Sequence, residues 1–447
     1  MIGVVGGGQL ARMLVQAAAQ RDVPIAVQTS DAADPAAGLA SRLVAADPRD
    51  VAGTRELVVG CDGITFENEW VNIDALLPLE QQGVRFQPSL AALSPLVDKL
   101  SQRQLLDDLA IPSPPWCPLS LISPAQPALP QGWTFPVMAK ASRGGYDGKG
   151  TVVLRDIDGL AQLLRAVPAD DWLLESWVDY ELELALVVSR DQRGRIRHFP
   201  LVQTHQHQQV CDWVLAPAPV DPSVAALAYN VAASLMTKLG YVGVLALVVS
   251  RDQRGRIRHF PLVQTHQHQQ VCDWVLAPAP VDPSVAALAY NVAASLMTKL
   301  GYVGVLALEF FYGPAGLQVN EIAPRTHNSG HFSIEACTSS QFDQQLCIAA
   351  GLPVPDPELK SRGALMVNLL GLDPVRHPPL DQRLEALEAM PGLHLHWYGK
   401  SPETPGRKLG HVTLLLEGDT LLKRRDEAES ALAAIRRIWP LESESQD

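Results

Sequence analysis

The sequence is short of paired cysteines and of positive charge, and both shortages narrow the class of protein. Its six cysteines are scattered with no CxxC pair, so free thiols of a cytosolic protein are expected rather than a disulfide framework. Lysine and arginine number 36 against 48 aspartates and glutamates, and the net charge of −12 argues against nucleic acid or an anionic membrane surface as a partner. A local basic pocket for phosphates remains compatible with this charge.

Long hydrophobic runs are also missing. No apolar stretch reaches the roughly 20 residues that span a bilayer. The chain opens on a strand-like GVVGGG with no basic segment before it, so neither a membrane anchor nor a signal peptide is predicted. The composition that is present, 47% hydrophobic and 19% charged residues, is ordinary for a soluble protein. The length allows about two to four domains, and a cytoplasmic location is expected.

One block of the chain occurs twice without a single change. Residues 184–247 recur as residues 245–308, a period of 61 residues. Natural repeat arrays diverge and mostly have shorter units, so an identical pair indicates either a recent tandem duplication or an error in assembling the sequence. Removing one 61-residue period from the 447 residues leaves 386 and a continuous chain from Glu183 to Glu309. We therefore predict that only one set of these segments occupies the functional core.

The strongest chemical signal is a predicted β-hairpin with two facing acids. Apolar strands flank a Gly-Pro-Ala-Gly turn that begins at Gly313. A three-residue loop ending in a left-handed glycine puts Gly313 opposite Leu317, and the same register puts Glu309 opposite Glu321. Opposed Cβ atoms lie roughly 5 Å apart, so the two carboxylates need a positive charge between them. Mg²⁺ binds one or two carboxylates plus substrate phosphates, and the pair therefore predicts a nucleoside-triphosphate site; a hairpin with solvated acids is the alternative.

The N-terminal region alternates strands with helices. The pattern Gly6-x-Gly8-x-x-Ala11 follows a short apolar strand and opens a helix. With Asp31 about 20 residues further on, it fits the alanine variant of the dinucleotide fingerprint. It is equally the tight turn of any α/β domain. Further strands at residues 25–28, 42–45 and 63–66 predict a doubly wound domain through residue 95. Glu67 and Glu69 follow the last of these strands, at the edge where ligands bind, and are site candidates or surface acids.

A strand that ends in a lysine, followed by a glycine-rich loop, comes after a predicted amphipathic helix at residues 96–109. The strand at 135–140 ends in Lys140, and the loop at 141–150 carries Lys149. Amides and ammonium groups so arranged can cover a triphosphate, although the loop does not match the P-loop motif; a flexible hairpin tip is the alternative. The strand at 172–178 offers a backbone edge for adenine, and Glu183 a carboxylate for ribose hydroxyls.

Three segments in the C-terminal part of the chain suggest a second ligand. Residues 323–331, APRTHNSGH, are dense in turn formers and hydrogen-bonding side chains, as expected of a substrate loop. Residues 394–400 and 405–411, HLHWYGK and PGRKLGH, place three cations near glycine turns, which fits a phosphate monoester or a solvated basic loop. His205 and His207 lack a third ligand nearby, so no metal site is predicted there.

Taken together and in order, these motifs resemble the ATP-grasp superfamily and, within it, the 5-(carboxyamino)imidazole ribonucleotide synthetases. The stretches that carry the resemblance are GGGQLARML at 6–14, GGYDGKG at 144–150, YVGVLALEFF at 302–311, NEIAPRTHNSGHFS at 320–333, SSQF at 339–342 and PGRKLGH at 405–411. The resemblance implies an α/β protein, α+β in its ATP-grasp part. Its expected domains are a Rossmann-like domain at 1–95, a small lid domain at 96–178, a large ATP-grasp domain at 179–360 and a C-terminal domain at 361–447.

The resemblance also implies an activity. The expected enzyme is a homodimeric ligase that uses ATP, Mg²⁺ and bicarbonate to carboxylate aminoimidazole ribonucleotide in purine synthesis. In the scheme of the family, bicarbonate attacks the γ-phosphoryl group and gives carboxyphosphate and ADP. Carboxyphosphate then releases CO₂ and phosphate in a closed site, and the exocyclic amine of the ribonucleotide attacks the CO₂.

The family's functional residues transfer to matching positions of this chain. The nucleotide would contact Lys99, Lys140, Gly145, Tyr146, Asp147, Gly148, Lys149, Gly150, Thr151, Glu175, Ser176, Trp177, Val178, Glu183, Gln206, Asn320 and Glu321. The metal would be bound by Glu309 and Glu321. The catalytic residues around bicarbonate and the ribonucleotide would be Tyr146, Lys149, Glu67, Glu69 and Arg325, and the substrate-binding residues Arg325, Lys400, Arg407 and Lys408.

The sequence departs from the family pattern at some positions and leaves other interpretations open. Gln206 stands where the family usually has a histidine, and Thr404 where it has an arginine; the repeat is the larger departure. A nicotinamide dehydrogenase would use Gly6, Gly8 and Asp31 instead. Another ATP-grasp ligase, such as a formate-dependent glycinamide ribonucleotide transformylase, would share the nucleotide residues, and the repeat would allow an inactive chain.

Overall fold

The computed structural model describes residues 1–109, 111–144, 150–179, 182–191, 196–200, 202–207, 210–218, 242–245, 267–268, 271–272, 303–313 and 316–441. Helices and strands alternate in the N-terminal part, and strands dominate the middle. The mixed α/β architecture predicted from the sequence is therefore present. Within the described residues, no helix is both long and apolar enough to cross a membrane.

The elements of the described residues are numbered in chain order. The strands are β1 Ile2–Val5, β2 Ile25–Thr29, β3 Arg42–Ala45, β4 Gly63–Phe66, β5 Trp116–Pro118, β6 Val137–Ala141, β7 Thr151–Leu154, β8 Trp172–Ser176, β9 Leu182–Arg190, β10 Ile196–His198, β11 Val202–His207, β12 Val210–Ala216, β13 Val242–Leu245, β14 Gln267–His268, β15 Val271–Cys272, β16 Val303–Gly313, β17 Gly316–Ala323, β18 Gly363–Leu370, β19 Leu393–Trp397 and β20 Lys408–Leu416. The helices are α1 Gln9–Ala19, α2 Val51–Val58, α3 Ile73–Gln81, α4 Leu90–Leu93, α5 Lys99–Asp108, α6 Ile157–Ala166, α7 Ser333–Ala336, α8 Gln341–Ala350, α9 Leu380–Glu388 and α10 Leu421–Ile438.

The N-terminal sheet has the order β3-β2-β1-β4 with parallel neighbours. Strands β1, β2 and β4 are buried along their whole length, as expected of a parallel sheet covered on both faces. Helix α8 packs on this domain, where Leu346 and Ala349 join the core formed by β1, β2 and α1. The strand positions predicted from apolar periodicity are confirmed.

A second sheet, of order β5-β8-β6-β7, is antiparallel. Helix α6 covers it because Leu160, Leu163 and Leu164 lie on one face and pack against Val137, Ala139 and Leu174. This sheet positions the lysine of β6: Lys140 pairs with Thr151 on one side and with Leu173 on the other.

The largest sheet within the described residues has the order β17-β16-β13-β9-β11-β12-β18-β20-β19, with β10 paired to β9. Strand β12 pairs with β18 from Trp213 opposite Val367 to Ala216 opposite Ala364. The sheet thus continues across the predicted domain boundary at residues 360 and 361. The domain limits themselves stay predictions.

In the hairpin of β16 and β17, Glu309 lies opposite Glu321, as predicted, but the loop differs from the predicted one. Gly313 pairs with Gly316, so the predicted pairing of Gly313 with Leu317 was wrong. The ladder shifts between Glu309 and Phe310, which leaves Asn320 as an extra residue on β17 and puts Glu309 opposite Glu321. A shorter loop and a β-bulge together restore the register that a longer loop would have given.

The two copies of the repeat contribute differently to the large sheet. Strands β11 and β12 come from the first copy, while their second-copy equivalents β14 and β15 form a separate two-stranded ladder. The prediction that one copy occupies the core holds for these segments. It fails for the sequence VGVL, because both occurrences lie in the sheet: β13 pairs in parallel with the start of β16, Val242 opposite Val303.

Candidate active site

The start of helix α5 is attached to the end of β6. Asp98 caps the helix by accepting a hydrogen bond from the amide of Ser101, and the amide of Lys99 donates to the carbonyl of Ser142 at 2.9 Å. Arg143 pairs with Asp98 at 3.0 Å. These contacts bring Lys99 beside the strand that carries Lys140.

Both lysines reach the bulged strand of the hairpin. Lys99 Nζ lies 2.5 Å from the Glu321 carboxylate. Lys140 Nζ donates to Asn320 Oδ1 at 2.8 Å and lies 2.7 Å from Glu175 Oε2. Five residues predicted to contact the nucleotide are thus joined in one network, which we call the lysine cluster: Lys99, Lys140, Glu175, Asn320 and Glu321.

The ionisation of the lysine cluster suits a phosphate ligand. Burial lowers the pKa of Lys140, opposed by the charge of Glu175. Burial alone would raise the pKa of Glu175, but Arg103 and Lys140 hold it below its usual value. In the same way Lys99, Lys140 and Arg325 outweigh the burial of Glu321 and lower its pKa. Both carboxylates therefore stay ionised at neutral pH.

The acids of the hairpin suit a hard metal ion. Glu309 and Glu321 are directly opposed in the ladder, and carboxylate and amide oxygens are the ligands that Mg²⁺ prefers. Lys99 already places one positive charge on Glu321, as expected of a site that gathers cations around this acid. The side chain of Glu309 is outside the described part of the structure, so its role as a ligand stays a prediction.

Helix α5 contributes two residues that the sequence analysis missed. Arg103 donates to Glu175 Oε1 and to the carbonyls of Val319 and Asn320. Gln102 donates to the carbonyl of Ile322 at 2.7 Å and accepts from its amide at 3.1 Å. The available signal was helical spacing, because Arg103 lies four residues after Lys99 and hence on the same face.

The glycine motif at the start of α1 surrounds a carboxylate of the protein itself. Glu67 accepts hydrogen bonds from the amides of Gly8, Leu10 and Ala11. A Cβ at Gly8 would lie 2.5 Å from Glu67 Oε1. The dinucleotide interpretation fails here, since Glu67 occupies the helix N-terminus where a pyrophosphate would bind. Burial raises the pKa of Glu67, against the opposing effect of these amides.

Three more of the residues predicted to contact the ribonucleotide, Glu69, Arg325 and Lys400, make contacts close to this glycine motif. Glu69 pairs with Arg325 at 2.7 Å. Lys400 Nζ lies 2.5 Å from Gln9 Oε1 and 5.5 Å from the centre of the Tyr398 ring. Two domains and the C-terminal segment thus meet at the carboxyl end of the parallel sheet. The catalytic role of Glu67 stays a prediction, while its carboxylate has the geometry of a helix cap.

Arg407 and Lys408 lie at the turn before β20. The guanidinium of Arg407 is exposed and donates to the carbonyls of Ser401 and Pro402, each at 3.1 Å. Lys408 begins the strand and pairs with Leu370. The role of Arg407 and Lys408 in binding phosphate stays a prediction.

A buried group of imidazoles lies beneath Lys400. His411 is fully buried, accepts or donates at 2.8 Å with the Tyr398 hydroxyl, and stacks on His396 with ring centres 4.5 Å apart. His331 is likewise buried, with its ring centre 4.9 Å from that of His411. Burial lowers the pKa of both His331 and His411 well below the usual value, so both rings are neutral at neutral pH.

Part of the predicted nucleotide site falls outside the described part of the structure. Gly145, Tyr146, Asp147, Gly148 and Lys149 lie outside the described residues, as do the side chains of Glu183 and Gln206. By backbone register, Glu183 of β9 lies between Thr204 of β11 and Phe311 of β16. The carbonyl of Gly150 accepts a hydrogen bond from the amide of Ala141. Ser176 is the last residue of β8, and Trp177 and Val178 follow it.

Comparison with known proteins gives a consistent result along the whole chain. The sequence model of the ribonucleotide synthetase preATP-grasp domain matches residues 1–95. The model of the ATP-grasp domain matches residues 104–249 and again 245–342, so its match divides at the repeat. The model of the phosphoribosylaminoimidazole carboxylase C-terminal domain matches residues 364–425.

Individual relatives agree. An N5-carboxyaminoimidazole ribonucleotide synthase of Synechococcus elongatus is 41% identical over 439 residues, 98% of this chain and 95% of that protein. The carboxyaminoimidazole ribonucleotide synthase of Aspergillus clavatus complexed with ATP superposes with a TM-score of 0.75 at 25% identity, covering 98% of both chains. The same enzyme with ADP and 5-aminoimidazole ribonucleotide gives a TM-score of 0.74 at 25% identity and 98% coverage of both. This chain therefore belongs to the N5-carboxyaminoimidazole ribonucleotide synthase family of ATP-grasp proteins.

Proposed function

We propose that this protein is an ATP-dependent ligase that carboxylates 5-aminoimidazole ribonucleotide to the N5-carboxyamino product in purine biosynthesis. The observation that carries the proposal is the lysine cluster, in which two ammonium groups from separate elements meet Asn320 and Glu321 on one hairpin edge. Its relatives include an enzyme solved with ADP and 5-aminoimidazole ribonucleotide.

The lysine cluster supports the nucleotide half of the reaction. Lys99 and Lys140 provide two positive charges on one side of the cleft, and phosphoryl transfer depends mainly on positioning and on neutralising phosphate charge. Because both side chains are largely buried, their charges are poorly screened by water and act strongly on a bound phosphate. The glycine-rich segment that follows β6 would cover the phosphates and exclude water.

The contacts around the glycine motif of α1 support the ribonucleotide half. Arg325 and Lys400 bring cations to the carboxyl edge of the parallel sheet, where ligands of open α/β sheets bind. Glu69 holds the guanidinium of Arg325 at 2.7 Å, and Gln9 holds the ammonium of Lys400 at 2.5 Å. These two cations would bind the substrate, and the phosphate of the ribonucleotide is the natural partner of Lys400.

We further propose that Mg²⁺ is the cofactor, and bicarbonate a substrate, at this site. Glu309 and Glu321 would hold the metal, which when bound supplies charge neutralisation to the β- and γ-phosphates. An oxygen of bicarbonate then attacks the γ-phosphorus as the bond to the β-phosphate oxygen breaks, giving ADP. The mixed anhydride releases phosphate and CO₂, and the exocyclic amine takes up the CO₂ with loss of one proton. Lys140 and Lys99 would serve as electrostatic partners of the phosphates throughout.

The test is ADP release with the substrates omitted one at a time. ADP should form with ATP, Mg²⁺, bicarbonate and 5-aminoimidazole ribonucleotide together, and fall to background without the ribonucleotide. Formate with glycinamide ribonucleotide serves as the competing pair. ADP release with that pair, and none with aminoimidazole ribonucleotide, would assign the chain to the other ligase; no ADP with either pair would overturn the proposal.

Two expectations from the resemblance accompany this function. We propose a homodimer and a cytoplasmic location, as expected for a biosynthetic enzyme of this family. Sedimentation at micromolar concentration would test the first of these, since a monomer would contradict it.

A further inference from the structure

Arg103 connects two sheets that flank the proposed nucleotide cleft. Its side chain is 3% exposed. It donates to Glu175 Oε1 on β8 through Nε at 2.7 Å and also through Nη2. The same guanidinium donates to the carbonyl of Val319 at 2.9 Å and of Asn320 at 2.6 Å, both on β17. One side chain of α5 thus reaches the smaller antiparallel sheet and the hairpin of the large sheet at once.

Arg103 and Lys140 share the same two partners. Glu175 accepts from Arg103 with one carboxylate oxygen and from Lys140 with the other. Asn320 accepts from Arg103 with its carbonyl and from Lys140 with its side-chain oxygen. The four residues form a closed ring, so moving any one of them displaces Lys140.

The charges in this ring do not cancel. Arg103 and Lys140 carry two positive charges against the single negative charge of Glu175, and Lys99 and Glu321 cancel each other. The described side chains of the ring and its neighbouring pair therefore leave a net charge of +1. Without Arg103 the net charge would be zero, and Glu175 would be left to Lys140 alone.

We infer that Arg103 is a positioning residue that neutralises Glu175, so that this carboxylate does not cancel the positive charge that Lys140 presents to the phosphates of the nucleotide. The inference rests on the proposed function, because it assumes that the lysine cluster binds a nucleoside triphosphate. It also gives Arg103 a second effect: its two bonds to main-chain carbonyls hold the bulge at Asn320, next to the carboxylate of Glu321.

The inference makes a charge prediction that a purely structural role does not. Arg103→Met should weaken the binding of Mg²⁺–ADP by about tenfold or more, because hydrogen bonds to charged groups contribute that much. Adding Glu175→Gln to this variant restores the net charge of +1 and should recover most of the lost affinity. If Arg103 only supported the fold, the second substitution would remove a further contact and recover nothing.

The measurement is isothermal titration of Mg²⁺–ADP into the full chain, with thermal unfolding of every variant in parallel. Arg165→Met, which removes an exposed arginine from α6, is the matched control for the loss of one positive charge and should bind like the parent. The double variant guards against misfolding, because replacing both members of a buried pair is better tolerated than replacing one. Arg103→Lys adds a second check, since it keeps the charge but loses the planar fork; its affinity should lie between those of the parent and Arg103→Met.

Each outcome decides between the inference and its alternatives. Restored affinity in the double variant, when thermal unfolding shows that Arg103→Met is itself folded, supports the charge role. Unchanged affinity in Arg103→Met, absence of recovery in the double variant, or Arg103→Lys binding as weakly as Arg103→Met overturns it while leaving the proposed function standing. A parent chain that does not bind Mg²⁺–ADP overturns the proposed function and the inference with it.

Discussion

At the scale of single residues, the buried histidines beneath Lys400 make stability depend on pH near neutrality. His331 and His411 are fully buried, and burial holds the pKa of each ring well below its usual value. A group with a depressed folded-state pKa contributes stability that is present above the unfolded-state pKa. That stability is lost as pH falls, because the unfolded chain takes up a proton that the folded chain refuses.

His411→Gln tests this argument. From about pH 6.5 downwards the parent should lose up to about 1.4 kcal/mol of unfolding free energy per pH unit for each such histidine. The variant should show a slope smaller by about one proton, measured by urea unfolding between about pH 7.5 and 5. His394→Gln, at an exposed position of β19, controls for the loss of one histidine. Equal slopes in the parent and His411→Gln would contradict the argument.

Substitutions in the two cationic regions should affect the binding of different substrates. Lys99→Met removes a charge from the lysine cluster and should raise KM for ATP by about tenfold or more, since bonds to charged groups contribute on that order. Lys400→Met should instead raise KM for 5-aminoimidazole ribonucleotide, because its ammonium lies beside Gln9 and not in the cluster. Steady-state kinetics with each substrate varied in turn would show it. A selective effect of Lys400→Met on KM for ATP would show that the ribonucleotide is assigned to the wrong region.

Single-residue roles were only partly predictable from the sequence. Lys140 and Glu321 came from motifs whose chemistry is visible in the residue types, and Lys99 came from the family resemblance. The structure brings these three together. Arg103 has no such motif, and its role depends on which sheet each neighbour belongs to. Glu67 shows the opposite case: its position after a strand suggested a ligand-binding acid, whereas the folded chain surrounds it with three amides of its own.

At the scale of elements, helix α5 and strand β17 act together. Gln102 bonds to both the amide and the carbonyl of Ile322, as a neighbouring strand would, and also to the carbonyl of Leu96. Arg103 donates to the carbonyls of Val319 and Asn320 on the same strand. The helix thereby fixes the main chain on both sides of Glu321.

Gln102→Leu should therefore destabilise the hairpin. The substitution keeps a similar size but leaves the amide and carbonyl of Ile322 without their partner, which costs about 2–4 kcal/mol of unfolding free energy. It should also lower turnover, since Glu321 is the next residue. Gln104→Leu, which removes an exposed contact with Asp108 on the same helix, is the matched control. Chemical unfolding in which both variants lose the same small amount would refute this function of α5.

The elements of the fold were predictable where periodicity is strong. Strands β1 to β4 and the hairpin strands appear where apolar residues cluster. The hairpin loop was not predictable, because a bulge at Asn320 compensates for a shorter turn. Hydrogen bonds from Arg103 and Lys140 hold that bulge. Such bonds are tertiary, so the local sequence around residues 313–321 contains no sign of them.

At the scale of the whole molecule, both copies of the repeat contribute strands to the large sheet. Strand β9, at the start of the first copy, pairs over nine positions with β16, which carries the end of the second copy. A chain with one period removed would keep every residue of this ladder and could form the same pairing. The 386-residue chain should therefore fold with a thermal midpoint at or above that of the parent and should retain ADP release. A single-copy chain that is soluble but inactive, beside an active parent, would show that the second copy is needed.

The contacts between the domains could not be predicted from the sequence, for a physical reason. Helix α8 places Leu346 in the core of the N-terminal sheet, and Arg21 pairs with Asp343 at 3.0 Å. These contacts join residues more than three hundred positions apart, and the sequence around either partner gives no indication of the other. The meeting of Gln9 with Lys400 is of the same kind, and it brings the two ends of the chain to one site.

The central claim is that the bulged hairpin holds an acid which, with Lys99 and Lys140, supports the turnover of ATP. The most direct measurement is ADP release by Glu321→Ala beside the parent, with Mg²⁺, bicarbonate and 5-aminoimidazole ribonucleotide present and with circular dichroism confirming that both chains are folded. We predict a loss of about a hundredfold or more, as for the removal of one group that stabilises transition-state charge. Ribonucleotide-dependent ADP release that is undiminished in the folded variant would contradict the account.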